Sequence, residues 1–353
     1  NSMVSCRIRN YGNKLVFIKD IYKENFMKNR IIAALTAAAF ICISLSGCAA
    51  ASKEPMTYTD TVFDTVVSIT VYDSTDQEIL DECKSMCQKY DAMFSATNPD
   101  SEISRINQAG GNPVEVSSET ATLIKKGLYY GKLSNGAFDI TIGKVSSLWD
   151  FKAENPSVPD SAAIASALEH VDYQKVLVSG NTVTMQDSQA AIDLGAIAKG
   201  YIADRLKDYL EEEGIRHANI NLGGNVQTIG GKPDGSAFNI GIQEPFSESG
   251  IPLTSVKIKD QSIVTSGTYQ RYFEKDGTIY HHILDPKTGY PCQNGLSSVT
   301  IITDSSLTAD ALSTTCFVLG PEDGLKLVNQ LDNVDAVFID SENEITYSTN
   351  FMK

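Results

Sequence analysis

VTSGTYQRYFEKDGTIYHHILDPKTGYP, residues 264–291, sets two β-type runs, 269–273 and 278–284, on either side of Lys275, Asp276 and Gly277. A short turn of that composition joins strands antiparallel, so the stretch predicts a hairpin. Successive strand side chains point to opposite faces, so of His281 and His282 at most one faces a site from there. Asp285 to Gly289 then reads as a turn. The chain has only 4 histidines, and one beside an aspartate turn makes general-base or phosphate-donor chemistry available; a structural histidine next to a plain turn is the other reading.

The same texture of short β runs broken by Gly, Asp and Pro continues on both sides, at 216–222, 238–243, 253–259 and 296–302, with a last strand at 334–340. Val, Ile and Thr over 62–72 predict a strand near the start. Ile79, Cys83, Cys87, Tyr90 and Phe94 recur at helical spacing, which predicts a helix over 76–94. Further helices fit 118–134, 196–213 before Gly214, 306–319 and 321–331, while 154–163, with two prolines, reads as a surface loop. Helices interleaved with antiparallel strands, without a βαβ rhythm, indicate an α+β fold.

Asp and Glu number 44 against 29 Lys and Arg, a net charge of −15, which argues against nucleic-acid binding and suits a cation-binding surface. Cys83 and Cys87 share a helix face with no matching His or Cys cluster nearby, so they read as core thiols rather than metal ligands.

The amino-terminal part reads separately. Residues 1–26 show no strong apolar periodicity and read as upstream sequence. Residues 27–47 have a basic start, an apolar run from Ile31 to Leu45 and a small-residue end, the layout of a signal peptide. Leu45, Ser46, Gly47 and Cys48 resemble the bacterial lipobox, in which the cysteine is diacylated, and two acyl chains suffice for stable anchoring. Residues 48–57 would then be a tether for the domain of residues 58–353, which this layout would hold at the extracytoplasmic face of a cell membrane.

Five segments carry candidate chemistry. Residues 136–143 (GAFDITIG) offer a carboxylate and backbone amides in a loop, or an ordinary strand entry. Residues 193–201 (DLGAIAKGY) put Asp193 and Lys199 at a helix start, where free amides and a cation suit a phosphate; a capped amphipathic helix is the alternative. The glycines of 221–226 (NLGGNV) allow close backbone approach to a ligand, or make a turn. The hairpin stretch is the fourth. In the fifth, 308–315 (TADALSTT), Asp310 and Thr314 lie four apart on one helix face, hard oxygen donors of the kind magnesium takes, or a pair bonding within its own helix.

In this order, from about Phe63 to Leu319, the five segments resemble the FAD:protein FMN transferase family, the ApbE lipoproteins. The resemblance implies a T-fold-like α+β domain that binds FAD and, with Mg2+, transfers FMN to a Thr or Ser of an acceptor flavoprotein in an extracytoplasmic redox complex, releasing AMP. It implies Ala196, Asp310 and Thr314 as metal ligands, Ala196 through its carbonyl. Ala137, Phe138, Asp139, Asp193, Lys199 and Ile283 match FAD-contacting positions, and Phe63 stands where the family often has Met. His282 matches the family's histidine and would activate the acceptor hydroxyl. Thr97 departs from the pattern, because many relatives carry a tyrosine there that could stack on the cofactor. Two rival readings share parts of this picture: an FAD pyrophosphatase with water as acceptor, and a flavin-capturing lipoprotein that needs no Asp310.

Overall fold

The structure is a computed structural model and describes residues 54–351 except 152, 248, 250 and 350. The expected signal peptide and lipidation site, residues 27–47 and Cys48, lie outside the described residues.

An eight-stranded antiparallel sheet organises the fold, in the order β1 (Met56–Val62), β2 (Thr65–Val71), β6 (Ala218–Leu222), β7 (Asn225–Ile229), β10 (Ser262–Gly267), β13 (Leu296–Thr303), β14 (Asp335–Asp340) and β15 (Ile345–Tyr347). Three smaller sheets accompany it: β3 (Val114–Glu115), β5 (Thr182–Met185) and β4 (Val176–Ser179); the pair β8 (Phe238–Gln243) and β9 (Pro252–Ile258); and the pair β11 (Tyr272–Lys275) and β12 (Thr278–His281). The helices are α1 (Gln77–Phe94), α2 (Glu102–Gln108), α3 (Ser118–Leu133), α4 (Gly143–Ser146), α5 (Ser161–Leu168), α6 (Ala198–Glu212) and α7 (Ser306–Val328). The α+β class is therefore observed, and every strand pairing is antiparallel. No helix among the described residues is long and apolar enough to cross a membrane.

The main core lies where α1, α6 and α7 cover the sheet. Cys83 and Cys87 belong to it, both buried on the inner face of α1 beside Ile79, Leu80, Tyr90 and Phe94, as the helical spacing predicts. β13 is buried along its whole length, because α7 covers one face and β10 and β14 flank it.

Differences from the sequence reading are local. The run expected as one strand over 62–72 begins only at Thr65 and is the second arm of a hairpin, whose turn holds Phe63 and Asp64 at φ 56° and 58°. Both residues take the left-handed region that such two-residue turns demand, without the glycine or asparagine that usually announces it. The loop expected over 154–163 ends early, because Asp160 caps α5 by accepting from the amides of Ala162 (2.9 Å) and Ala163 (3.2 Å). The helices expected over 306–319 and 321–331 are the two arms of α7, which meet at a kink where Gly320 has φ 82° and Pro321 follows. In the hairpin first quoted, the strands are shorter than 269–273 and 278–284, but they pair across Asp276 and Gly277 as composition predicts.

Candidate active site

α6 and α7 cross closely, and glycine makes this possible. A Cβ on Gly200 would lie 2.3 Å from the Ser306 carbonyl oxygen and 2.7 Å from Asp310 Cβ. That approach lets Asp310, only 3% exposed, accept a 2.9 Å hydrogen bond from the Gly200 amide, one of the donors a helix start leaves unpaired. The helix expected from 196 starts at Ala198, so this amide is already occupied from within the protein. The other Asp310 oxygen faces Lys199 Nζ at 3.7 Å, longer than a hydrogen bond, and Lys199 also reaches the Gly195 carbonyl at 3.4 Å. Thr314 stands one turn beyond Asp310, with its hydroxyl 3.2 Å from that of Ser266 on β10.

The loop before α6 is tied to the GAFDITIG loop. Asp193 donates its amide to the Ile140 carbonyl (2.8 Å), and its carboxylate accepts from the Gly195 amide (2.9 Å) and the Ser146 hydroxyl (2.8 Å). Asp139 is likewise engaged: Oδ1 accepts from the amide and hydroxyl of Thr141, and Oδ2 accepts from the Tyr173 amide. Burial pushes its pKa up, against those hydrogen bonds. The Asp139 carboxylate thus shapes the loop, with all three of its bonds made inside the protein.

In the hairpin stretch the two histidines divide roles. His281 donates from Nε2 to the Cys292 carbonyl (2.9 Å), which leaves Nδ1 as acceptor for the Ile283 amide (3.3 Å); it is 2% exposed and structural. His282 follows β12, its amide bonded to the Arg271 carbonyl (3.1 Å), and its Nδ1 is buried without a hydrogen-bond partner among the described residues. Burial first, then the nearby Arg271 charge, pulls the His282 pKa down from 6.5 to about 3, so the ring is neutral near pH 7.

These groups converge on one cavity of about 680 Å³. Thr97, Ala137, Phe138, Asp139, Asp193, Ala196, Lys199, His282, Ile283, Asp310 and Thr314 all line it, and with Gly223 from 221–226 each of the five segments contributes to its wall. Phe63 does not line it; it sits at the β1–β2 turn, packed against the main core. Arg271 links that turn to the rim by donating to the Asp64 carbonyl (3.3 Å). Thr97 is exposed at the rim, its amide and hydroxyl both bonded to Ser95 Oγ at 3.2 Å.

The cavity also has residues that the sequence reading did not single out: Asn225, Ser266, Arg271 and the ring pair Trp149 and Phe151, stacked with centroids 5.8 Å apart. Trp149, the single tryptophan of the chain, was the one available signal. Among the described residues no three His, Cys, Asp or Glu side chains gather as a metal cluster. A metal here would instead use the hard oxygens of Asp310, Thr314 and Ala196. Magnesium suits such a set, since it keeps waters and takes substrate phosphate oxygens.

The ApbE family model matches residues 63–338. An FAD:protein FMN transferase of Klebsiella pneumoniae (strain 342) is 39% identical over 279 residues, covering 78% of this chain and 86% of the relative. One from Treponema pallidum (strain Nichols) is 37% identical, covering 77% and 80%. Among solved structures, the ApbE protein of Thermotoga maritima superposes with a TM-score of 0.77 at 34% identity, covering 84% of this chain and 97% of that one. The flavin transferase ApbE of Vibrio cholerae gives 0.75 at 28% identity, covering 84% and 98%. The matched region contains β2, β6, β7, β10 and β13 of the large sheet, both crossing helices and every wall of the cavity, and the chain belongs to the ApbE family.

Proposed function

We propose that this chain is an FAD:protein FMN transferase that moves FMN from FAD to a Thr or Ser hydroxyl of an acceptor flavoprotein and releases AMP. The observation that carries the reading is the meeting, in one cavity, of the Asp310, Thr314 and Lys199 oxygen-and-cation group with the neutral, partly buried His282.

In the reaction the acceptor oxygen bonds to the FMN phosphorus, the bridging P–O bond breaks, and AMP leaves with the bonding pair. The hydroxyl proton goes to His282, whose lone pair is available because burial keeps the ring unprotonated. Lys199 holds a phosphate oxygen by point charge, and Asp193 and Asp139 hold the two loops that shape the pocket floor. Asp310, Thr314 and the Ala196 carbonyl would hold Mg2+, which when bound neutralises charge developing on the diphosphate.

The deciding experiment incubates the protein with FAD, Mg2+ and a Thr-bearing acceptor protein and measures intact mass. A gain equal to one esterified FMN is expected. Free FMN with AMP would instead support the pyrophosphatase, and an unchanged mixture the flavin-capturing lipoprotein.

We further propose that Cys48 is diacylated and holds the enzyme at the extracytoplasmic membrane face, beside the redox proteins it modifies; the lipobox supports this. Fatty-acid labelling that persists in Cys48→Ala would overturn the anchor.

A further inference from the structure

Asn225 opens β7 directly after the Gly223–Gly224 turn. Glycine is required in that turn: Gly223 has φ 65°, and a Cβ there would lie 2.2 Å from Thr65 Oγ1 on β2. The turn therefore docks on the neighbouring strand and fixes where β7 begins. Asn225 lines the cavity, yet is only 1% exposed.

Its amide is half satisfied. Oδ1 accepts a 2.6 Å hydrogen bond from Ser306 Oγ, while Nδ2 is buried with no partner among the described residues. Native interiors rarely leave a buried donor bare, so one in the wall of a substrate cavity points to an atom of the substrate. Ser306, Asp310 and Thr314 are spaced four apart on one face of α7. Asn225 is thus bonded to the residue that lies four positions, about 6 Å along the helix axis, before Asp310, in the same cavity wall.

We infer that Asn225 is a substrate-binding residue, whose Nδ2 donates a hydrogen bond to a diphosphate oxygen of FAD while its Oδ1 ties β7 to α7. This rests on the transferase reading and adds a contact that the reading does not otherwise use.

The test measures affinity of the full chain for FAD, ADP and riboflavin by calorimetric titration in Mg2+. Asn225→Ala should weaken FAD and ADP by about tenfold to a hundredfold, as expected for a hydrogen bond to a charged group, and leave riboflavin unchanged. Asn225→Asp keeps an acceptor for Ser306 but replaces the donor with an anion, so it should bind FAD more weakly still. A purely structural Asn225 predicts the reverse order. Wild-type affinity in Asn225→Asp, or a riboflavin loss equal to that of FAD, would overturn the inference. If Asn225→Asp does not fold, the contrast between ADP and riboflavin in Asn225→Ala decides alone. Should the unaltered chain fail to bind FAD at all, the transferase reading falls first; if it binds and the variants match it, only the Asn225 assignment falls.

Discussion

The two walls of the cavity are built on opposite rules. On the α6–α7 wall the polar groups are paired: Asp310 holds the Gly200 amide and Thr314 meets Ser266, while behind the wall Asp204 caps α7 by accepting from Ser305 Oγ and the amides of Ser306 and Leu307. On the β-strand side, His282 Nδ1 and Asn225 Nδ2 are buried without hydrogen-bond partners among the described residues. A carboxylate already fixed by hydrogen bonds needs no rearrangement when charge develops nearby, so the helical wall is preorganised. Each buried unpaired atom costs about 1–3 kcal/mol, so the strand wall is held in a state that substrate relieves. Substitutions on the helical wall should therefore harm stability and activity together, and those on the strand wall should cost activity without destabilising the fold at neutral pH.

The largest effect tests the helical wall at its functional end. Asp310→Ala should abolish Mg2+-dependent transfer, a loss of several kcal/mol in transition-state stabilisation, while circular dichroism still reports the native fold. Full activity in that variant would remove the metal assignment.

His282→Ala should slow single-turnover transfer by about a hundredfold to ten-thousandfold with FAD still bound, the range for a general base. The same residue separates the walls by pH. Its folded pKa, about 3, lies below the 6.5 of the unfolded chain, so the unfolded state takes up the proton first. The wild type should lose more stability than His282→Ala as pH falls from 6.5 toward 3, the difference in loss reaching the order of 2 kcal/mol by pH 5 by chemical denaturation. Parallel denaturation curves across that window would show that His282 is not held neutral by burial.

Gly200→Ala sets a methyl group 2.3 Å from the Ser306 carbonyl and should push α6 from α7, costing about 1–3 kcal/mol of stability and raising the Mg2+ concentration needed for activity. Retained stability with unchanged Mg2+ dependence would break the link between helix approach and site geometry. The smallest effect is expected at the rim: Thr97→Tyr, introducing an aromatic ring, should tighten FAD binding about threefold to tenfold by titration. Unchanged affinity would mean the ring does not reach the cofactor.

How far the sequence could be read follows from the range of the interactions involved. Asp310 and Thr314 were legible as a pair because a helix repeats every 3.6 residues, and that spacing alone puts them on one face. His281 and His282 were legible as a division of roles because side chains alternate in a strand; alternation alone did not say which of them lines the cavity, and the family resemblance named His282. The turn at Phe63 and Asp64 was hidden, since its left-handed residues give no local signal and are held by pairing between β1 and β2. Asp139 and Asp193 were legible as site residues, but not that their carboxylates bond to Thr141, Tyr173 and Ser146.

By itself, the sequence determined the α+β class, the main helices and the order of the five segments, because periodicity, capping and turn chemistry act over a few residues. Only the tertiary structure decided that Gly200 is the contact through which Asp310 reaches the α6 amide, and that Asn225 and His282 bring bare polar atoms to the same cavity. Those facts depend on groups as far apart as Gly200 and Asp310 meeting at hydrogen-bond distance, and no local rule encodes such a meeting until the sheet and helices have packed.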